Sequence, residues 1–199
     1  MTDLETSRAR LVFDADWNIW VPVPDALPRG NYADLGQWAD AVVDAATEND
    51  WTANDRVRLR EALLSIATST DENELRLINL ADPLGYLYYV SVICWDSEES
   101  ISVASLAGDG IDGAVRTPNV EEFESPNFVE GARGVVYQDT GGDNHDIGGT
   151  ARWVLRGHGV DVVGLLNLYN FVQFERAVPV VDRLMRSIAV AGEQGSEER

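Results

Sequence analysis

From Val160 to Phe171 the chain runs through a stretch with almost no polar face. An alternating strand leaves one side for water, but a run such as VVGLL at 162–166 has no such side and needs cover on both faces. The nearest cover follows directly: Phe174, Ala177, Val178, Val181, Leu184, Met185 and Ile188 recur at spacings of three and four, one stripe on a 3.6-residue helix. Upstream, Ala151–Arg156 reads as a strand, and Gly157, His158 and Gly159 read as the turn that joins it to the apolar run. Pro179 falls inside the helical stripe, where it would cost about 3 kcal/mol. The expected helix therefore starts near Ala177 or Val178, with Pro179 in its first turn and Phe171–Arg176 as the lead-in.

The rest of the chain supplies a sheet and a helical pair. Arg10–Asp14, Trp17–Val23, Leu75–Leu80, Tyr86–Trp95, Ile101–Ala107, Gly134–Asp139 and Ile147–Arg156 have strand character; Trp17, Ile19 and Val21 share the expected core face of theirs. A helix is expected from Asn31, its N-cap, to about Glu48, and a second after Trp51, where Thr52 and Asp55 resemble a capping box. Gly108–Gly131, rich in Gly, Pro and acids, predicts a long excursion with at most one helical turn near Val120–Phe123. The fold class expected is α+β: a mainly antiparallel sheet packed by an N-terminal helical pair and a C-terminal helix, one domain over 10–190, between a loose tail at 1–9 and a disordered one at 191–199.

Charge excludes several functions. The chain has 34 acidic against 15 basic residues, a formal net charge of −19, and every basic residue is arginine. Without lysine there is no P-loop lysine, no Schiff base and no Ser-Lys dyad. No motif calls for a cofactor. So negative a field repels phosphate, which argues against a nucleic-acid partner, and an anionic membrane surface is disfavoured for the same reason. The acidity has three readings: solubility, a salty cytoplasm, or a preference for basic partners. The single cysteine, Cys94, lies in an apolar run and has no partner for an intrachain disulfide. Residues 1–10 lack a secretory apolar core and no window reaches 18 apolar residues, so the cytoplasm is the expected compartment.

Three candidate sites emerge. Asp139, Asp143, His145 and Asp146 gather oxygen and imidazole ligands on a Gly-rich segment, as a divalent-metal-binding protein or metal-dependent hydrolase would use; the same residues also suit a solvated hairpin loop. Arg56 and Arg60 share a helix face that an acidic ligand could use, or that pairs with carboxylates of the neighbouring helix. Of Trp17 and Trp20, alternation turns one outward, and Trp20 is taken as a protein-binding anchor, since tryptophan is enriched at binding hot spots. The cluster at Gly108–Gly113 lacks the ligand pattern of a calcium loop and reads as a turn, His158 lies exposed in its turn, and no serine or cysteine sits in a nucleophile elbow. A pocket between sheet and helices would leave no motif at all.

The stretch Val162–Asn170 (VVGLLNLYN) followed by Val181–Ile188 (VDRLMRSI) resembles the strand-then-helix ending of the Mog1/PsbP-like α/β sandwich and of small actinobacterial proteins. That resemblance implies an antiparallel sheet packed by helices, and an accessory, protein-binding role rather than an enzymatic one. It carries over no functional residues. The helical pair within Asn31–Thr68 and the excursion Gly108–Gly131 depart from a minimal version of that fold. A protein-binding module is thus the first expectation, working through a sheet edge or that excursion.

Overall fold

A computed structural model describes residues 2–5, 10–47, 51–71, 73–108, 114, 115, 117–139 and 147–191. In chain order the elements are β1 (Thr2–Glu5), β2 (Arg10–Phe13), β3 (Trp20–Pro22), α1 (Leu35–Ala46), α2 (Ala53–Thr68), β4 (Glu74–Asn79), β5 (Tyr88–Asp96), α3 (Val103–Gly108), β6 (Asn119–Glu122), β7 (Glu130–Asp139), β8 (Ile147–Gly157), β9 (Val160–Leu168), α4 (Phe171–Arg186) and β10 (Ile188–Val190). The fold is α+β with mainly antiparallel sheets. The chain divides into two compact units, residues 16–92 and residues 1–15 with 93–199, and β5 runs across the boundary.

In the smaller unit the strand order is β3-β4-β5. Its core joins Trp38, Ala39, Val42 and Val43 of α1 to Leu59, Leu63 and Ala67 of α2 and to Ile78 of β4. The helices are antiparallel, because Arg56 pairs with Asp44 while Arg60, one turn on, pairs with Asp40, one turn back. Both arms of the expected capping box on α2 form between Thr52 and Asp55. The cap of α1 is Asp34, not Asn31: its carboxylate accepts from the Gln37 N–H at 2.8 Å, and Asn31 lies in a turn. Arg76 ties the sheet to the end of α2. Its guanidinium binds Glu74, the Ile66 carbonyl at 2.7 Å and the Ser69 carbonyl at 2.8 Å, and lies 4.7 Å over the Tyr89 ring. Burial pushes the Glu74 carboxyl up, but hydrogen bonds from Arg76, Ser91 and the Asp71 N–H outweigh it and hold the group below the usual carboxylate range.

In the larger unit β5-β9-β8-β7-β6 form the main sheet, and β1-β2-β10 a second. The two faces of β8 go to different cover. Val154 packs with Ala132 and Val163 under Val103 and Ala107 of α3, and Arg152 donates to the Leu106 carbonyl on the same side. The alternate residues meet α4: a Cβ on Gly149 would strike the Phe174 ring, and one on Gly164 would come within 2.5 Å of the Met185 sulfur, so both glycines allow the helix its close approach. The β8–β9 turn holds His158 at φ 56° and Gly159 at φ 76°, two left-handed residues that match the twist of a two-residue hairpin.

Several expectations are corrected here. Ile101–Ala107 is not a strand: Ser102 accepts from the Ser105 N–H at 3.1 Å and starts α3, so β9 rather than a third consecutive strand neighbours β5. The turn expected near Val120–Phe123 is instead β6, paired with β7 from Asn119↔Val135 to Glu122↔Ala132. The polar start of the chain pairs with β2 through Thr2–Glu5. Helix α4 begins at Phe171, eight residues before Pro179, because Asn170 caps it by accepting from the Gln173 N–H at 3.0 Å. Pro179 is exposed, so the missing hydrogen bond falls on the outer, solvated side of the helix. Residues 192–199 lie outside the described residues.

Arg156 and Asp161 lock the hairpin from inside. Nε and Nη2 of Arg156 donate to the two Asp161 oxygens at 2.6 and 2.7 Å, Nη1 reaches the Ile101 carbonyl at 2.8 Å, and Ser97 donates to Asp161 at 3.0 Å. Asp161 is fully buried. Replacing Asp161 with Ala strands a buried guanidinium, so urea denaturation of the variant is expected to show a loss of about 3–5 kcal/mol; a loss under about 0.5 kcal/mol would show the pair to be dispensable.

Candidate functional site

The described part of the larger unit has one end where apolar side chains face water together. Tyr169, Phe171, Val172 and Ile147 are 76, 45, 52 and 43% exposed. Tyr169, Phe171 and Val172 lie within four consecutive residues at the junction of β9 and α4, and Ile147 opens β8 two residues before Gly149, whose Cβ position faces Phe174 of the same helix. The buried stripe of α4 opens only at Phe174, which leaves Phe171 and Val172 in the first turn with no core to enter. The Phe171 ring lies 5.6 Å from that of Tyr137, and Tyr137 stands edge-on to Phe174 at 5.9 Å.

Beside this patch a cleft of about 520 Å³ opens between α4 and the β6–β7 edge. Alternation along β7 sends Arg133, Val135 and Tyr137 into it, opposite Glu175 and Asp182 of α4. Asp182 is its hub. One oxygen accepts from the Trp153 indole N–H at 2.7 Å and the other from Nη1 of Arg133 at 2.5 Å, while Nη2 of Arg133 pairs with Glu121 on β6. Burial works against the Arg133 charge, but Asp182 and Glu121 outweigh it and raise its pKa. The Tyr137 hydroxyl donates to Glu175 at 2.6 Å. With Glu121, the cleft sets three carboxylates against one guanidinium, a surplus of negative charge next to an apolar patch.

The residues picked from the sequence fall elsewhere. Trp20 is 3% exposed and packs edge-on against Tyr88 at 5.9 Å, so it is a core side chain and not a surface anchor. The cause is local: Trp17–Ile19 form a turn closed by the Ile19 N–H on the Asp16 carbonyl, so alternation begins three residues late. Arg56 and Arg60 clasp α1 through Asp44, Thr47 and Asp40, the helix-pairing alternative. Asp139 ends β7 on the surface, while Asp143, His145 and Asp146 lie outside the described residues, as do 109–113. Among the described residues no group of three or more His, Cys, Asp or Glu is placed to hold a metal ion. Among them too, no helix is long and apolar enough to cross a membrane. Cys94 is buried, and His158, exposed in its turn, contacts the Asn127 carbonyl through Nε2 at 3.0 Å.

The patch at Tyr169–Val172 escaped sequence reading because Pro179 drew the helix start too far along. A signal was present: Asn170 followed three residues later by Gln173 is the pattern of a capped helix start. No family model matches the chain, and no curated protein and no solved structure matches it.

Replacing Asp182 with Ala removes the acceptor of both the Trp153 indole and Arg133. The expected result is a loss of about 2–3 kcal/mol in urea denaturation, with a shifted Trp153 indole resonance. An unmoved indole signal would show that the hub does not exist in solution.

Proposed function

We propose that this protein is an accessory binding module that takes a basic, partly apolar segment of another protein on the end of the larger unit. One observation carries the reading: four large apolar side chains, two of them aromatic, stand exposed at the starts of α4 and β8, and Phe171 lies against Tyr137 of a cleft with excess carboxylate. Exposed aromatic clusters of this kind mark interaction sites, and a complementary charge sets the choice of partner and the rate of encounter. Apolar anchors would sit on Tyr169, Phe171 and Val172, and an arginine or lysine would lie toward Glu175 and Asp182. The net charge of −19 favours the same partner at long range.

The role is the one that the Mog1/PsbP-like resemblance implies, and the order of β9 and α4, a strand followed by a helix, supports that resemblance. A cytoplasmic setting accords with it as well, supported by a chain whose one thiol has no intrachain disulfide partner.

The test uses three labelled model peptides of equal length: an amphipathic Leu/Lys helix, its Leu/Glu counterpart, and a Lys peptide without leucine. Fluorescence anisotropy is expected to show saturable binding of the Leu/Lys peptide only. The Tyr169→Ser/Phe171→Ser double variant should weaken it about tenfold, as loss of central aromatic anchors does. Equal binding of the acidic peptide, or no effect of the double substitution, would overturn the proposal.

A further inference from the structure

The smaller unit contains a groove of about 660 Å³, within the range of small-molecule sites, and no residue lining it carries a formal charge. In a chain one-quarter charged, that is a chemical selection rather than an average surface. One wall is α1, where Ala41 and Ala45 leave the space that larger side chains would fill. The opposite wall is the turn before β3, with Trp17 and Ile19, and Leu80 beyond β4; the Tyr32 ring completes it. Residues of this unit alone form the groove, so it is independent of the surface proposed above.

Charge at the rim discriminates among apolar ligands. Asp16 precedes Trp17, and Asp82 lies between two lining residues, Ala81 and Pro83. Both carboxylates are exposed and are held by turn hydrogen bonds, Asp16 from the Asn18 N–H at 3.1 Å and Asp82 from the Gly85 N–H at 3.0 Å. Asp44, beside Ala45, is paired with Arg56, whose Nη1 donates to the hydroxyl of the lining Thr47 at 2.8 Å, so that part of the rim carries a neutral pair. Beyond that neutral pair, the carboxylates Asp16 and Asp82 flank the lining residues, a balance that repels anions and favours a cation, while the uncharged walls accept an apolar body and offer two aromatic faces.

We propose that this groove binds a small organic cation with an aromatic or aliphatic body, its body between Trp17, Tyr32 and the alanine face of α1 and its ammonium at Asp82 and Asp16. The test is a titration of the full chain with three probes sharing one ring system: naphthylmethylamine, naphthylmethanol and naphthylacetate. Backbone and indole amide resonances report the site. The amine is expected to bind saturably, shifting the Trp17 indole and Ala45 amide, about fivefold tighter than the alcohol, with the acetate weakest. Ala45→Leu, on the exposed side of α1, should weaken both amine and alcohol about tenfold by filling the space. Asp82→Asn should bring the amine down to the alcohol's affinity, whereas Glu61→Gln, an acid on the exposed face of α2, should change nothing. Should Ala45→Leu fail to fold, Trp17→Ala takes its place with the same expectation. Equal affinity of the three probes, no saturable binding, shifts confined to other residues, amine binding unchanged in the groove-filling variant, or equal effects of the two acid variants would each overturn the proposal.

Discussion

Strands β8 and β9 have almost no face that tolerates water, and the larger unit is arranged to meet that one demand. From Gly148 to Val163 only Arg152, His158 and Gly159 are not buried. Such strands are stable only between two layers, and the chain supplies α4 on one side and α3 with the segment before it on the other. The position of α4 follows from its stripe, and the exposed residues follow from α4: a stripe that opens at Phe174 cannot bury Phe171 or Val172, and Tyr169 lies exposed in the short junction between the end of β9 and the helix. What is proposed as a docking site is the place where the cover of the hairpin runs out.

Arginine does work that lysine could not do here. Arg156 reaches two carboxylate oxygens and two carbonyls from within the fold, Arg76 reaches a carboxylate, a hydroxyl and two carbonyls, and Arg133 bridges Asp182 and Glu121 across the cleft. Each uses the planar fork with several donors in fixed directions, and an ammonium offers no equivalent geometry. A chain without lysine therefore still ties loops and helix ends to its strands. Many of its carboxylates have no arginine to meet, since acids outnumber bases 34 to 15, and that surplus defines the electrostatic character of both proposed surfaces.

Much of this architecture is legible in the residues themselves. The VVGLL run, the GHG turn, the α4 stripe and the Thr52 cap each encode their element locally, so pattern suffices. What pattern misses is decided by competition between local signals. Pro179 outweighs the Asn170 cap on paper, but in the structure a cap and five buried side chains outweigh one exposed proline. Ile101–Ala107 has the composition of a strand, yet Ser102 and a short run of small residues make it α3. Trp20 looks like half of an alternating pair until the Asp16 turn shifts the phase. The two proposed sites are assembled from residues far apart in the chain, Glu121 with Arg133 and Asp182, or Trp17 with Ala45 and Asp82, and no local spacing announces such sets.

The order of stability within the larger unit is set by the same two-sided cover. Edge strand β6 is exposed throughout, whereas the interior of β8 and β9 can reach solvent only when both helical layers come away. Native-state hydrogen exchange across the unit measures this directly. The amides of Val154, Val162, Val163 and Leu166 are predicted to exchange only by global unfolding, with the denaturant dependence of the whole transition. If they exchanged as fast as the amides of β6, the hairpin would not be enclosed, and the positions of α4, the cleft and the exposed patch argued from it would be contradicted.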